Sequence, residues 1–238
     1  MEDRMVSYRL RMFGLAFLLF HAPGLAAAQE LETGPPPGSL GGTYIMFDFS
    51  AGSPNDPQAP GVYEADLGME FGTRLGVGYA FNSLRAEVQI GYESFTLNNL
   101  NPLPDSPLTE TDSSGDLSGM VMMANLFYDI GATGGPRPFL GAGIGFANLE
   151  ADYHGLVCFI LCSEGAQIVN GSDTVTAWQA MAGLSTPLRG GHGEWFIGYR
   201  YFGTEDINLN VVGYGPVSQE GVKSHSVMLG WRIKFMSY

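Results

Sequence analysis

From Leu40 onward, apolar residues recur at every second position in runs of about ten, and a helical period is almost absent. Such runs, bounded by Gly, Pro, Asn and Asp, are the pattern of strands with one apolar face. The clearest is Phe71 to Phe81. One parity reads Phe71, Thr73, Leu75, Val77, Tyr79, Phe81 and the other Gly72, Arg74, Gly76, Gly78, Ala80. Asn82-Ser83 turns the chain into a partner with Leu84, Ala86, Val88, Ile90 and Tyr92 on one face and Arg85, Glu87, Gln89, Gly91 and Glu93 on the other. The same split appears in Met120 to Ile130 and in Pro138 to Ala147, where Leu140, Ala142, Ile144 and Phe146 oppose Gly141, Gly143 and Gly145. Gly42 to Ser50, Thr174 to Thr186, Glu194 to Phe202 and Lys223 to Phe235 complete eight predicted strands.

Their connections alternate in length. Asn82-Ser83, Gly131 to Arg137 and Leu188 to Gly193 are short; Ala51 to Val62, Leu97 to Leu117, Asp152 to Asp173 and Glu205 to Val222 are long and polar. Long and short connections on opposite ends of an even-stranded antiparallel sheet describe an all-β fold: an eight-stranded transmembrane β-barrel of an outer membrane, with short periplasmic turns and long extracellular loops. A soluble lipocalin-like barrel has the same period but needs a charged outer face. Here Asp48, Arg74, Arg85, Glu87, Asp129, Arg200, Arg232 and Lys234 all fall on the glycine-rich parity, which suits a crowded lumen of paired charges. The opposite parity is an apolar band fit for lipid. Mixed signs in so narrow a lumen predict a plug rather than a selective pore.

Composition agrees. Charged residues are only 15% against 45% hydrophobic, and 34 glycines are present, yet no apolar run is long enough for a spanning helix. The net charge of −13 removes nucleic acid as a partner. At the N-terminus, Arg4, Arg9 and Arg11 precede the apolar run Met12 to Phe20 and Ala26-Ala27-Ala28-Gln29. This predicts a signal peptide over residues 1–28 cleaved between Ala28 and Gln29, then a proline-rich periplasmic leader over 29–39 and a barrel domain over 40–238.

The run Met120 to Ile130 with Arg137-Pro-Phe-Leu-Gly-Ala-Gly-Ile-Gly-Phe, the segment Gly198-Tyr-Arg-Tyr-Phe and the ending Ser224 to Phe235 together resemble the outer-membrane protein β-barrel family. That family includes opacity-type porins and α-proteobacterial surface antigens and is related to the OmpA membrane domain. The resemblance covers Leu40 to Phe235. It implies an outer-membrane location and a structural or surface-interaction role: envelope integrity, adhesion or antigen display. No soluble domain is expected after the last strand, so OmpA-type anchoring is not expected. The alternation Val227, Leu229, Trp231, Ile233, Phe235 resembles the C-terminal signal read by the β-barrel assembly machinery, with Met236-Ser237-Tyr238 as an overhang.

The remaining chemistry is sparse. Cys158 and Cys162 lie in the third long loop, where an oxidising compartment favours a local disulfide. Zinc would require reduced thiolates beside His154 and Glu164, which that compartment opposes; no metal or other cofactor is expected. Gly141-x-Gly143-x-Gly145 lacks the strand–turn–helix setting of a nucleotide loop. Ser224-His225-Ser226, near the outer end of the last strand, is the one candidate for hydrolysis of lipid A on a barrel wall. No acid stands at a suitable spacing, so no enzyme is expected. Phe81, Tyr92, Tyr128, Trp178, Trp195, Tyr199, Tyr201 and Trp231 read as interfacial girdle residues. Expected partners are outer-membrane lipid and lipopolysaccharide, the assembly machinery and a host or cell-surface ligand of the loops, with the chain a monomer. Asp105, Glu110, Asp112 and Asp116 read first as solvated loop charge, with a bridge to lipopolysaccharide phosphates through divalent cations as the alternative. A narrow small-solute channel is the alternative function.

Overall fold

A computed structural model describes residues 42–104, 106, 113–131, 135–158, 162–188 and 192–235; the side chains of 156–158 and 162–165 lie outside the description. The signal peptide, the cleavage site at Ala28 and Gln29 and the leader all fall outside the described residues.

The described residues form one antiparallel sheet. Its long strands are β1 (Gly42–Pro54), β3 (Tyr63–Phe81), β4 (Leu84–Pro102), β5 (Ser113–Asp129), β6 (Arg137–Cys158), β7 (Cys162–Pro187), β8 (Gly193–Thr204) and β11 (Lys223–Lys234). Each pairs with its neighbour in sequence, except that β1 pairs β3 across the short β2 (Gln58–Ala59) and β8 pairs β11 across the hairpin of β9 (Ile207–Val211) and β10 (Gly215–Gln219). Pairing of β1 with β11, from Tyr44 opposite Lys234 to Pro54 opposite Ser224, closes the eight long strands into a ring. The barrel follows from chain length and alternation: every backbone group in the apolar zone must find its partner within the sheet, and closure removes the two edges.

Through the membrane zone the alternation behaves as read from the sequence. Phe71, Leu75, Val77, Tyr79 and Phe81 of β3 are exposed on the outer wall while Gly72 and Arg74 are enclosed. The glycines permit close approach inside. A Cβ on Gly145 would overlap the Met122 carbonyl oxygen, and one on Gly143 the Asn125 side chain.

The strands run far beyond that zone, and here the sequence expectation needs correction. Much of Ala51 to Val62, Leu97 to Leu117, Asp152 to Asp173 and Glu205 to Val222, read as loop, is strand. At 22 residues β6 measures roughly 55 Å along a tilted barrel, against an apolar band of about 25 Å. Above the band the solvent lies outside, so the chemistry of the two faces inverts, and the Asn, Asp and Pro on the outer face imitate turn composition. On β3 a bulge makes the inversion. Leu67 opposes Leu97 but Glu70 opposes Phe95, which leaves one extra residue on β3. That residue flips the strand's parity, so Tyr63, Ala65 and Leu67 point inward above it and Glu70, Gly72 and Arg74 below it. An extra residue on β7 likewise turns both Ile168 and Val169 into the interior.

Candidate functional site

The barrel interior holds three tiers. The lowest, towards the short turns, is an aromatic and ionic lattice. Arg85 Nε and Nη2 donate to Asp129 at 2.9 Å each. Glu194 bridges two guanidiniums, accepting from Arg137 at 2.8 Å and from Arg232 at 2.5 Å. Arg232 lies 4.0 Å from the centroid of the Phe196 ring and Arg85 4.5 Å from that of Phe127, so each cation has a ring face where it lacks a carboxylate. Tyr44 donates to Glu87 at 2.8 Å.

The middle tier is polar. Arg200 donates to Asp48 at 3.0 Å and to Ser50 at 3.1 Å. Arg74 pairs with Glu93, beside which stands Glu70. Gln179 donates to Asn125 at 2.6 Å, and Gln89 donates to Glu87. The upper tier is apolar: Tyr63, Leu67, Phe95, Leu97, Leu100, Leu117, Leu149, Tyr153, Val169, Ile207 and Leu209 form a single buried cluster within the extracellular extension. Burial pushes the phenols of Tyr63 and Tyr153 above their ordinary range.

Asp48, Arg74, Arg85, Glu87, Asp129, Arg200 and Arg232 are all enclosed in the lumen, whereas Lys234, at the periplasmic end of β11, is only half-buried. Four further lumen charges were missed: Glu70, Glu93, Arg137 and Glu194, each at most 3% exposed. Five arginines thus face six carboxylates. Parity carried the signal. Glu93 shares its face with Arg85, and counting back from Arg200 and Arg74 puts Glu194 and Glu70 inside.

Val227, Leu229, Trp231 and Ile233 lie on the outer face of β11, and Phe235 follows it, hydrogen-bonded through its N–H to the Thr43 carbonyl at 3.0 Å. Cys158 and Cys162 occupy opposing register positions at the tip of the β6–β7 hairpin; their side chains lie outside the described residues. His154 lies 3.6 Å from Asp152, on the same face of that hairpin. Asp116 is on β5, opposite Asp152, while Asp105, Glu110 and Asp112 lie outside the described residues. Alternation separates the hydrolase candidates: Ser224 and Ser226 are buried in the interior and His225 stands on the outer wall. The serines and the histidine therefore form no common site.

The sequence profile of the outer membrane protein β-barrel domain matches residues 13–235. The chain belongs to the outer-membrane β-barrel protein family. This barrel accordingly sits in the cell outer membrane, with its apolar wall against lipid. Curated relatives are uncharacterized proteins of Brucella abortus (strain 2308) and Brucella suis biovar 1, each 27% identical over 196 residues that span 68% of this chain and 67% of theirs. Among solved structures the barrel resembles Neisserial surface protein A, at 18% identity and TM-score 0.52 over 81% of this chain and 97% of that one. It also resembles the outer membrane protein OprG of Pseudomonas aeruginosa, at 15% identity and TM-score 0.56 over 84% and 99%. At these identities the likeness is one of fold.

Proposed function

We propose that this barrel is a sealed membrane stem that holds a stiff extracellular β-structure for contact with surface partners, an adhesin or surface-antigen role, rather than a channel. The observation that carries the reading is the third tier. Above the membrane the strands continue, with an apolar core inside and a polar, acidic surface outside, which is how a binding module is built rather than a pore lining. Below it, paired charges occupy the lumen, and an eight-stranded barrel is just wide enough to be filled by side chains. Name-level support comes from the resemblance to a neisserial surface protein.

The test has two arms. In planar bilayers the full chain gives no steady single-channel conductance; a reproducible open level in the wild type would favour the small-solute channel instead. Bacteria displaying the full chain adhere to host-cell monolayers or matrix more than cells displaying a chain with the β9–β10 hairpin replaced by a short turn. Equal adherence of both, and of cells without the protein, would overturn the surface-contact role.

A further inference from the structure

The outer wall is almost devoid of cations. Among the described residues every arginine is at most 3% exposed and Lys234 is half-buried, which leaves Lys223 as the one Lys or Arg exposed on the outer surface. It does not stand alone. His225 is two residues further along the same outward face of β11, and across the sheet His225 opposes Tyr201 while Val227 opposes Tyr199. The rings form a continuous array. Tyr201 lies 4.8 Å from His225 and 5.1 Å from Trp178, centroid to centroid, and the Tyr199 hydroxyl is hydrogen-bonded to His225 Nδ1. In the tautomer in which Tyr199 donates to Nδ1, Nε2 is a donor. The base of the cluster is fixed: the Lys223 N–H donates to Asn55 Oδ1 at 2.6 Å and its carbonyl accepts from the Asn55 N–H at 2.7 Å.

Height decides what this cluster meets. From Phe235 to His225 the outward residues of β11 are apolar through Val227, and ten residues of tilted strand rise about 25 Å, the height of an outer-membrane apolar band. Around the barrel the same level carries polar pairs on the outer wall, Tyr92 with Ser118 and Asn148 with Thr174. The cluster therefore stands where acyl chains give way to headgroups of the outer leaflet.

The geometry points to a rim site on β7, β8 and β11 for the phosphorylated sugar headgroup of the outer-leaflet lipid, with Lys223 and His225 Nε2 taking the phosphate and the Tyr201 and Trp178 rings lying along the sugar. A chain of net charge −13 repels such phosphates elsewhere. The one exposed ammonium among the described residues, on the same outward face of β11 as His225 and at headgroup height, is where charge and shape agree. Glu205, two residues beyond Gly203, the register partner of Lys223, makes no ion pair with it among the described residues. The Asp206 carboxylate is engaged by the Gly221 N–H at 3.0 Å. The inference rests on the outer-membrane placement and not on the surface-contact role.

The test uses the purified full chain folded in zwitterionic detergent and titrated, with native mass spectrometry as readout, against diphosphoryl lipid A, the same lipid with both phosphates removed, and phosphatidylglycerol. Diphosphoryl lipid A is expected to bind at least about five times more tightly than either comparison lipid. Lys223→Gln is expected to reduce its binding about five-fold while leaving the dephosphorylated lipid unchanged, and His225→Ala to reduce it further. Equal binding of the phosphorylated and dephosphorylated lipids, equal binding of phosphatidylglycerol, or an unchanged Lys223→Gln would each overturn the site. Heat-modifiable migration on gels reports folding of each variant, and the wild-type comparison of lipids decides the question even if a variant fails to fold. Loss of this binding with adherence intact would leave the surface-contact role standing, and the reverse result would leave the lipid site standing.

Discussion

Glu194 is the point at which the plug is most exposed to a single substitution. Its carboxylate is 2% exposed and holds two guanidiniums, Arg137 at 2.8 Å and Arg232 at 2.5 Å. Glu194→Gln keeps the shape and one acceptor but removes the charge, leaving two buried cations with no carboxylate of their own in the lowest tier. Breaking one buried pair by losing one partner costs about 3–5 kcal/mol. The Phe196 ring, 4.0 Å from Arg232, still offers the cation a partner, so the loss belongs near the lower end, about 3 kcal/mol, or roughly a hundred-fold in the unfolding equilibrium. The assay is urea unfolding of the chain in lipid vesicles under reversible conditions, followed by tryptophan fluorescence. Exposed Glu150→Gln serves as control and should move stability by no more than about 0.5 kcal/mol. The double variant Glu194→Gln with Arg137→Gln removes one of the two stranded charges and should cost less than the sum of its single changes. A loss under about 1 kcal/mol for Glu194→Gln, or strict additivity in the double variant, would refute the reasoning that these charges are held by one another.

Three further outcomes follow from the same structure. Leu75→Arg and Ile233→Arg place a charge on the lipid wall, where the native side chains are 55% and 52% exposed, and each should cost up to about 2–4 kcal/mol and slow insertion; the lumen change Gln89→Asn should insert normally, and equal folding yields for all three would sink the assignment of faces. Asp173, outside the membrane zone, accepts from the backbone N–H of Asn208 at 2.9 Å and from its side chain at 2.8 Å, which lowers its carboxyl below the ordinary 3.8. A depressed pKa gives stability that is complete above the unfolded value and lost as pH falls through the folded one. Hydrogen exchange at the Asn208 amide should therefore stay slow down to the ordinary carboxyl range and speed up only in stronger acid, while Asp173→Asn should abolish that dependence. Because Cys158 and Cys162 share a register position, protein taken from the native envelope should carry them as a disulfide, with alkylation before reduction finding no free thiol; two alkylated cysteines would exclude the bond.

The membrane part of the barrel was legible because one physical rule governs it: one face meets lipid and the other a crowded lumen, so parity alone sorts Leu75 from Arg74 and Ile90 from Glu87. Beyond the membrane both faces follow a different rule, and no local feature of the sequence announces the change. The bulge between Leu67 and Glu70 shifts β3 by one residue, and a period-2 count carried across it places Tyr63 and Ala65 on the wrong face. Asn98, Asn99 and Asn101 read as loop because their composition suits turns, yet they belong to β4, where polar side chains face water. Arg137 opens its strand, where no alternation precedes it, although its pairing with Glu194 places it firmly in the lumen. The rim cluster was half visible: Trp178, Tyr199 and Tyr201 were marked as girdle residues, but that Lys223 is the sole exposed Lys or Arg of the described residues depends on the five arginines being buried, which only the fold reveals.

The apolar wall faces lipid, and the native tryptophans report on it directly. Trp178, Trp195 and Trp231 are the chain's only tryptophans and all three lie on the outer wall, each 38% exposed. In vesicles of lipids brominated along the acyl chains, Trp195 and Trp231, which oppose each other within the apolar band, should be strongly quenched in a Trp178→Phe variant, while acrylamide in the water should have little effect. Fluorescence untouched by brominated lipid and readily quenched by acrylamide would show that this wall faces water.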